Sequence, residues 1–180
     1  MIDFGLVDAI DAEALGAPGH RTFRIRARAG GNYASLWLEK EQLAALGRSI
    51  SQLIAERVEH RGETLPRPAE VGEFTDRPDI DMQLVRIGID YQPSPDRLVF
   101  LADDQSGMER GDTPTFRMEM SRSAAMGLVR AITVAASAGR PRCPLCGQPM
   151  EPDNQHFCPG ADGHSVVLEI PGPDEQEPSR

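Results

Sequence analysis

The chain has 180 residues, enough for one medium domain with a single core and a small appendage. A net charge of −9 disfavours nucleic acid and anionic membranes as general partners, and no stretch reaches membrane-spanning length. Three cysteines, all in the last quarter, suit a metal spacing in a reducing cytosol better than a disulfide framework, so a cytoplasmic protein is expected.

Met1 to Ile10 carries Asp3 and Asp8 and lacks the basic and apolar regions of a secretion signal. Phe23, Ile25 and Ala27 then alternate with Arg24, Arg26 and Arg28, the pattern of a half-buried strand with a basic outer face. Gly30, Gly31 and Asn32 supply a turn into a second strand, where Leu36 and Leu38 alternate with Trp37. Leu43, Leu46, Ile50, Leu53, Ile54 and Val58 fall on helix spacing.

The segment 62–81, with Pro66, Pro68 and Pro78 among scattered charges, is expected to be an exposed linker without fixed structure. Val85, Ile87, Ile89 and Tyr91 alternate again, a turn follows at 93–96, and 98–102 makes the next strand. The polar stretch from Asp103 to Pro114 is expected to be a long hairpin loop. A second helix then places Ala125, Leu128, Ile132, Ala135 and Ala136 each 82 positions after its counterpart in the first. The offset also relates Leu36 and Leu38 to Met118 and Met120, Lys40 to Arg122, and Arg48 to Arg130. The plain alternative is chance similarity between two amphipathic helices.

The order predicts an α+β fold of two strand-strand-strand-helix units, about 1–61 and 82–140, forming one antiparallel sheet with both helices on a face. A zinc-knuckle module over 141–170 and a disordered acidic tail over 171–180 complete the expected organisation, with Val166 to Ile170 adding a short strand.

The sharpest chemical signal is Cys143-Pro-Leu-Cys146-Gly147, followed by Cys158-Pro159 with His156 and His164 on either side. Thiolates two residues apart on a turn tightened by Pro and Gly can point at one centre, and three thiolates with one imidazole fill a tetrahedral zinc shell. Such a site is closed and structural. His156 shares a face with Cys158 on an extended segment, whereas His164 would reach back through a loop, and either serves as the fourth ligand. A redox dithiol is the competing reading, and it needs a helix N-terminus or a cation to lower a thiol pKa.

Gly16 to Phe23, the run Ser35-Leu-Trp-Leu-Glu-Lys-Glu-Gln42, and CPLCGxP with HFCP together resemble the bacterial, mainly actinobacterial, domain of unknown function 3090 family. The resemblance implies the architecture and the metal site and leaves activity open. His156 and Cys158 stand at the family's His and last Cys, while Gly160 replaces an Arg of the family pattern.

Elsewhere the candidates are weaker. Arg24, Arg26 and Arg28 offer an anion or partner face, although alternating Arg on a strand is more often a solvated face paired with neighbouring carboxylates. Trp37 is either an exposed anchor for a partner or covered by a second layer. Asp103 and Asp104 read as turn residues more readily than as a catalytic pair. No phosphate loop, dinucleotide fingerprint, nucleophile elbow or HExxH helix is present.

The leading expectation is a non-enzymatic binding or adaptor protein with structural zinc, recognising a protein partner through its sheet face. The alternative is an enzyme or binding protein for a phosphorylated or anionic small molecule at the Arg face, with Asp103, Asp104 or Glu119 as base. Nucleic-acid binding by the zinc module with Arg140 and Arg142 is disfavoured by the acidic charge.

Overall fold

The structure, a computed structural model, describes residues 1–137 other than 18, 76 and 112. The zinc-knuckle module with Cys143, Cys146, His156, Cys158 and His164, the strand expected over Val166 to Ile170, and the tail therefore lie outside the described residues.

Among the described residues, eight strands and three helices follow in order: β1 (Ile2–Leu6), β2 (Ala9–Leu15), β3 (Thr22–Ala29), β4 (Asn32–Leu38), α1 (Lys40–Arg61), β5 (Ile80–Gln83), β6 (Arg86–Pro93), β7 (Asp96–Asp103), α2 (Gln105–Arg110), β8 (Phe116–Met120) and α3 (Arg122–Ser137). The fold is α+β, as expected, but the strands form two sheets rather than one, in the orders β1-β8-β7-β6 and β2-β3-β4-β5. Neither sheet is purely antiparallel. In each, three antiparallel strands are joined by a fourth that runs parallel to the third, β5 beside β4 and β1 beside β8.

The physical reason for this correction is that alternation tells which face of a strand is buried and not which sheet the strand joins. The chain changes sheet at two single-residue steps. The Val7 N–H donates to Glu119 in one sheet while Asp8 donates to Arg28 in the other, and Leu84 and Val85 repeat the step by donating to Trp37 and Asp103. Strands that switch sheets at such corners let both inner faces close on one core.

Each long helix follows directly on the third strand of its half and packs against the first strand of the other half, α3 on β2 and α1 on β6. The helices also meet each other, where a Cβ on Gly47 would lie 3.0 Å from Ile132. Ile25, Leu36, Phe100, Phe116 and Met118 from the sheets join Leu43, Ile50 and Leu128 from the helices in one apolar core. α1 begins with Gln42 Oε1 accepting from the Glu39 N–H, and it ends on Gly62, whose φ of 62° gives the left-handed C-cap that glycine adopts without penalty.

Two connections differ from expectation. The polar stretch after Asp103 is not a plain loop, since Asp104 caps a short helix, α2, by accepting from the Gly107 N–H. The segment 62–79 has no helix or strand, yet it is tied down along its length. Ala69 N–H donates to Ser123 O, Ser123 Oγ donates to Arg67 O, and Gly72 passes so close to Ala9 that a Cβ would lie 2.4 Å from its side chain. The strap continues over Arg28 and Tyr33 before becoming β5.

Candidate functional site

Pairing of β2, β3, β4 and β5 arranges the polar outer side chains in cross-strand rows. Glu13, Arg24, Trp37 and Gln83 share one row, and Asp11, Arg26, Ser35 and Asp81 share the next. Neighbours directly opposite on one face are close enough to bond, and here the acids of β2, with Asp8 just before it, meet the cations of β3. Arg24 pairs with Glu13, Arg26 with Asp11 at 2.5 Å and with Glu13 at 3.4 Å, and Arg28 with Asp8 at 2.6 Å.

Aromatic rings complete the array. The Arg24 guanidinium lies 5.2 Å from the Trp37 ring centroid, and Arg26 lies 4.6 Å from that of Phe74 on the strap. Phe74 also meets Tyr33 at 5.5 Å, and the Glu73 carbonyl accepts from Arg28. The strap thus covers the Arg26 and Arg28 end of the face. Trp37 at the other end is half-buried, and its Nε1–H donates to Asp81.

The three arginines and Trp37 singled out in the sequence therefore come together on one surface, but each cation already has a carboxylate partner. An incoming phosphate would have to displace those carboxylates. A protein surface can instead exchange one ion pair for another while covering the indole.

The missed participants are Asp8, Asp11, Glu13, Asp81 and Phe74. Ala9-Ile-Asp-Ala-Glu-Ala-Leu15 alternates acids as β3 alternates arginines, so the acidic partners carried a signal. Phe74, a lone aromatic in a Pro-rich stretch, carried none.

Asp103 and Asp104, weighed as a catalytic pair, are structural. Asp103 is 2% exposed, and it accepts from Arg86 at 2.8 Å and from the backbone and hydroxyl of Thr115. Burial raises its pKa, but the hydrogen bonds from Arg86 and Thr115 outweigh that, and the carboxyl stays below its ordinary value. Asp104 is held low chiefly by the Gly107 N–H that it caps. Glu119 is engaged by Arg117 at 2.6 Å. Among the described residues no group of three or more His, Cys, Asp and Glu is arranged to hold a metal ion, and no helix is long and apolar enough to cross a membrane.

No curated protein and no solved structure matches the chain. Residues 2–158, a span that takes in the strap, both sheets and the cysteines through Cys158, match the model described as Protein of unknown function (DUF3090), and the chain belongs to that family.

Proposed function

We propose that the chain is a non-enzymatic cytoplasmic adaptor that recognises a protein partner through the open end of the β2–β5 face. The observation carrying this reading is the compensated arginine ladder, in which Arg24 is matched to Glu13 and stacked on a half-buried Trp37. Aromatic and Arg side chains are the usual anchors of protein interfaces. The anionic small-molecule reading comes second because it needs a cation without a carboxylate partner.

Cys143, Cys146 and Cys158 with one histidine form a donor set suited to tetrahedral zinc, which would supply folding energy rather than chemistry. The family match includes His156 and stops before His164, which favours His156 as fourth ligand. The shared strand order of the two sheets and the 82-residue offset of the helices support reading the two halves as a duplication.

Affinity capture from the source cells with wild type and with Trp37→Ala/Arg24→Ala tests the adaptor role. A partner retained by wild type and lost by the double variant is expected. A partner bound equally by both, or a phosphorylated metabolite that raises the melting temperature of wild type and not of Arg24→Ala, would reverse the order of the two readings. Elemental analysis is expected to give one zinc per chain, lost in His156→Ala and retained in His164→Ala.

A further inference from the structure

The strap after α1 is held by backbone hydrogen bonds at its ends and by side chains between them. At one end Ala69 donates to the Ser123 carbonyl and Ser123 Oγ donates to the Arg67 carbonyl, and at the other Ile80 enters the sheet beside Ala34. From Glu70 to Thr75 no backbone N–H donates to a partner among the described residues, and Gly72 and Phe74 alone of these six are half-buried. Gly72 packs on Ala9, the Phe74 ring meets Tyr33 and Arg26, and the Glu73 carbonyl accepts from Arg28 at 2.6 Å. A stretch with few buried contacts and no backbone hydrogen bonds of its own lies at the low end of local stability.

The groups under the strap make the cover costly. Tyr33 on the outer face of β4 is 3% exposed. The Arg26 Nε–H is buried with no acceptor among the described residues, although Nη2 of the same guanidinium pairs with Asp11. The Phe74 ring, 4.6 Å from that guanidinium, supplies a π face and no oxygen. A donor kept from water without a partner carries a desolvation penalty, so the covered cation itself opposes the closed position.

We infer that the part of the strap carrying Gly72, Glu73 and Phe74 is a lid on the β2–β5 face, which lifts while the body stays folded and uncovers Tyr33, Arg26 and Arg28. Its hinges are Ala69 and the start of β5. Its latch is the pair of bonds between Asp79 and Tyr33, in which the Asp79 N–H donates to the Tyr33 carbonyl and the Tyr33 N–H donates to Asp79 Oδ2, each at 2.8 Å. Lifting returns the Arg26 Nε–H to water and sets the Tyr33 ring on the same outer face as Trp37. The lid thereby controls how much of the ladder a partner can reach. That use rests on the adaptor reading, whereas the lifting is a property of the chain alone.

Relaxation-dispersion NMR on the isotope-labelled full chain, with no partner added, tests the lid. Exchange on the μs–ms scale is expected at Gly72, Phe74, Ala9, Tyr33 and the Arg26 Nε–H with one common rate, and none at Ala69 or Leu36. Gly72→Ala, whose Cβ would lie 2.4 Å from that of Ala9, should raise the open population about tenfold. Hydrogen exchange at Asp79 and Tyr33 should speed up by the same factor while Leu36 and Phe100 keep their protection. Phe74→Ala, which removes the ring without adding an atom, should move the same resonances in the same direction.

A common rate that extends to Ala69, Leu36 and Phe100 would mean unfolding of the whole body and would overturn the proposal. So would Tyr33 and Arg26 resonances that stay in place in both variants. The adaptor reading fails separately, since a lid that lifts as described in a chain whose capture of a partner ignores Trp37→Ala/Arg24→Ala keeps the lid and loses the adaptor.

Discussion

The two halves of this protein share a strand order and a helix position, yet they bury their paired carboxylates to different depths. The β2–β5 sheet spreads three arginines and three acids over its outer face in pairs, with Arg24 and Glu13 still 22% and 25% exposed and Asp11 more deeply covered. The β6–β7–β8 half buries the carboxylate of Asp103 to 2% exposure, where it accepts from Arg86 and Thr115, while the Thr115 hydroxyl also reaches Asp104 at the start of α2. Exposed pairs are screened and entropically costly, while a buried carboxylate with several donors is expensive to disturb. The same topology therefore supports a replaceable surface in one half and a fixed joint in the other.

Asp103→Ala should break this contrast most severely, with a loss of about 3 kcal/mol in urea unfolding because Thr115 and Arg86 lose a charged acceptor. The pH dependence has a definite sign. Because the folded pKa of Asp103 is depressed, its contribution is present above the unfolded value and is lost as pH falls through the folded one. The stability gap between wild type and Asp103→Asn should hold at neutral pH and shrink below about pH 4. A gap that persists unchanged into acid would show that Asp103 acts through packing alone.

The two inter-strand junctions sharpen the comparison next. A Cβ on Gly107 would fall 1.9 Å from Thr115 Oγ1 and 2.9 Å from Asp103 Oδ1, whereas one on Gly31, between β3 and β4, meets nothing within 4 Å. Gly107→Ala should cost about 2 kcal/mol through overpacking. Gly31→Ala should change the unfolding midpoint very little, and equal effects at both positions would remove the distinction between fixed joint and open turn.

Phe74→Ala should follow, with a loss of about 1–2 kcal/mol from its ring contact with Tyr33 and its stacking on Arg26. Hydrogen exchange should rise at Asp79 and Tyr33, where the strap becomes β5. The smallest effect belongs to the ladder itself. A double-mutant cycle on Arg24 and Glu13 should give a coupling of about 0.2–1 kcal/mol that falls with added salt. A coupling above that of Asp103 with Arg86 would invert the comparison.

Much of this was legible from local pattern. The stripe through Leu43, Leu46, Ile50 and Ile54 is the buried face of α1, and the alternation of Phe23, Ile25 and Ala27 with three arginines gives the two faces of β3. Pairing was harder to see. Arg24 and Glu13 are opposite one another only because β2 and β3 are antiparallel in a particular register, and no local signal fixes register. The step from one sheet to the other at Leu84–Val85 occupies no turn residue, so neither glycine nor proline marked it. Composition predicts a free linker over 62–81 because it reports the absence of a core stripe and is silent on tertiary contacts such as Ser123 with Arg67.

The parallel pairing of β1 with β8 sets Ile2 beside Phe116, so β1 finds its partner near the end of the described residues. The β2–β5 sheet has all its strands once residue 83 has emerged, while its sister sheet must wait for residue 120. Contacts so distant in sequence close slowly. During synthesis, Phe4 and Val7, both buried in the finished core, are left without their β8 neighbours until most of the domain has been translated.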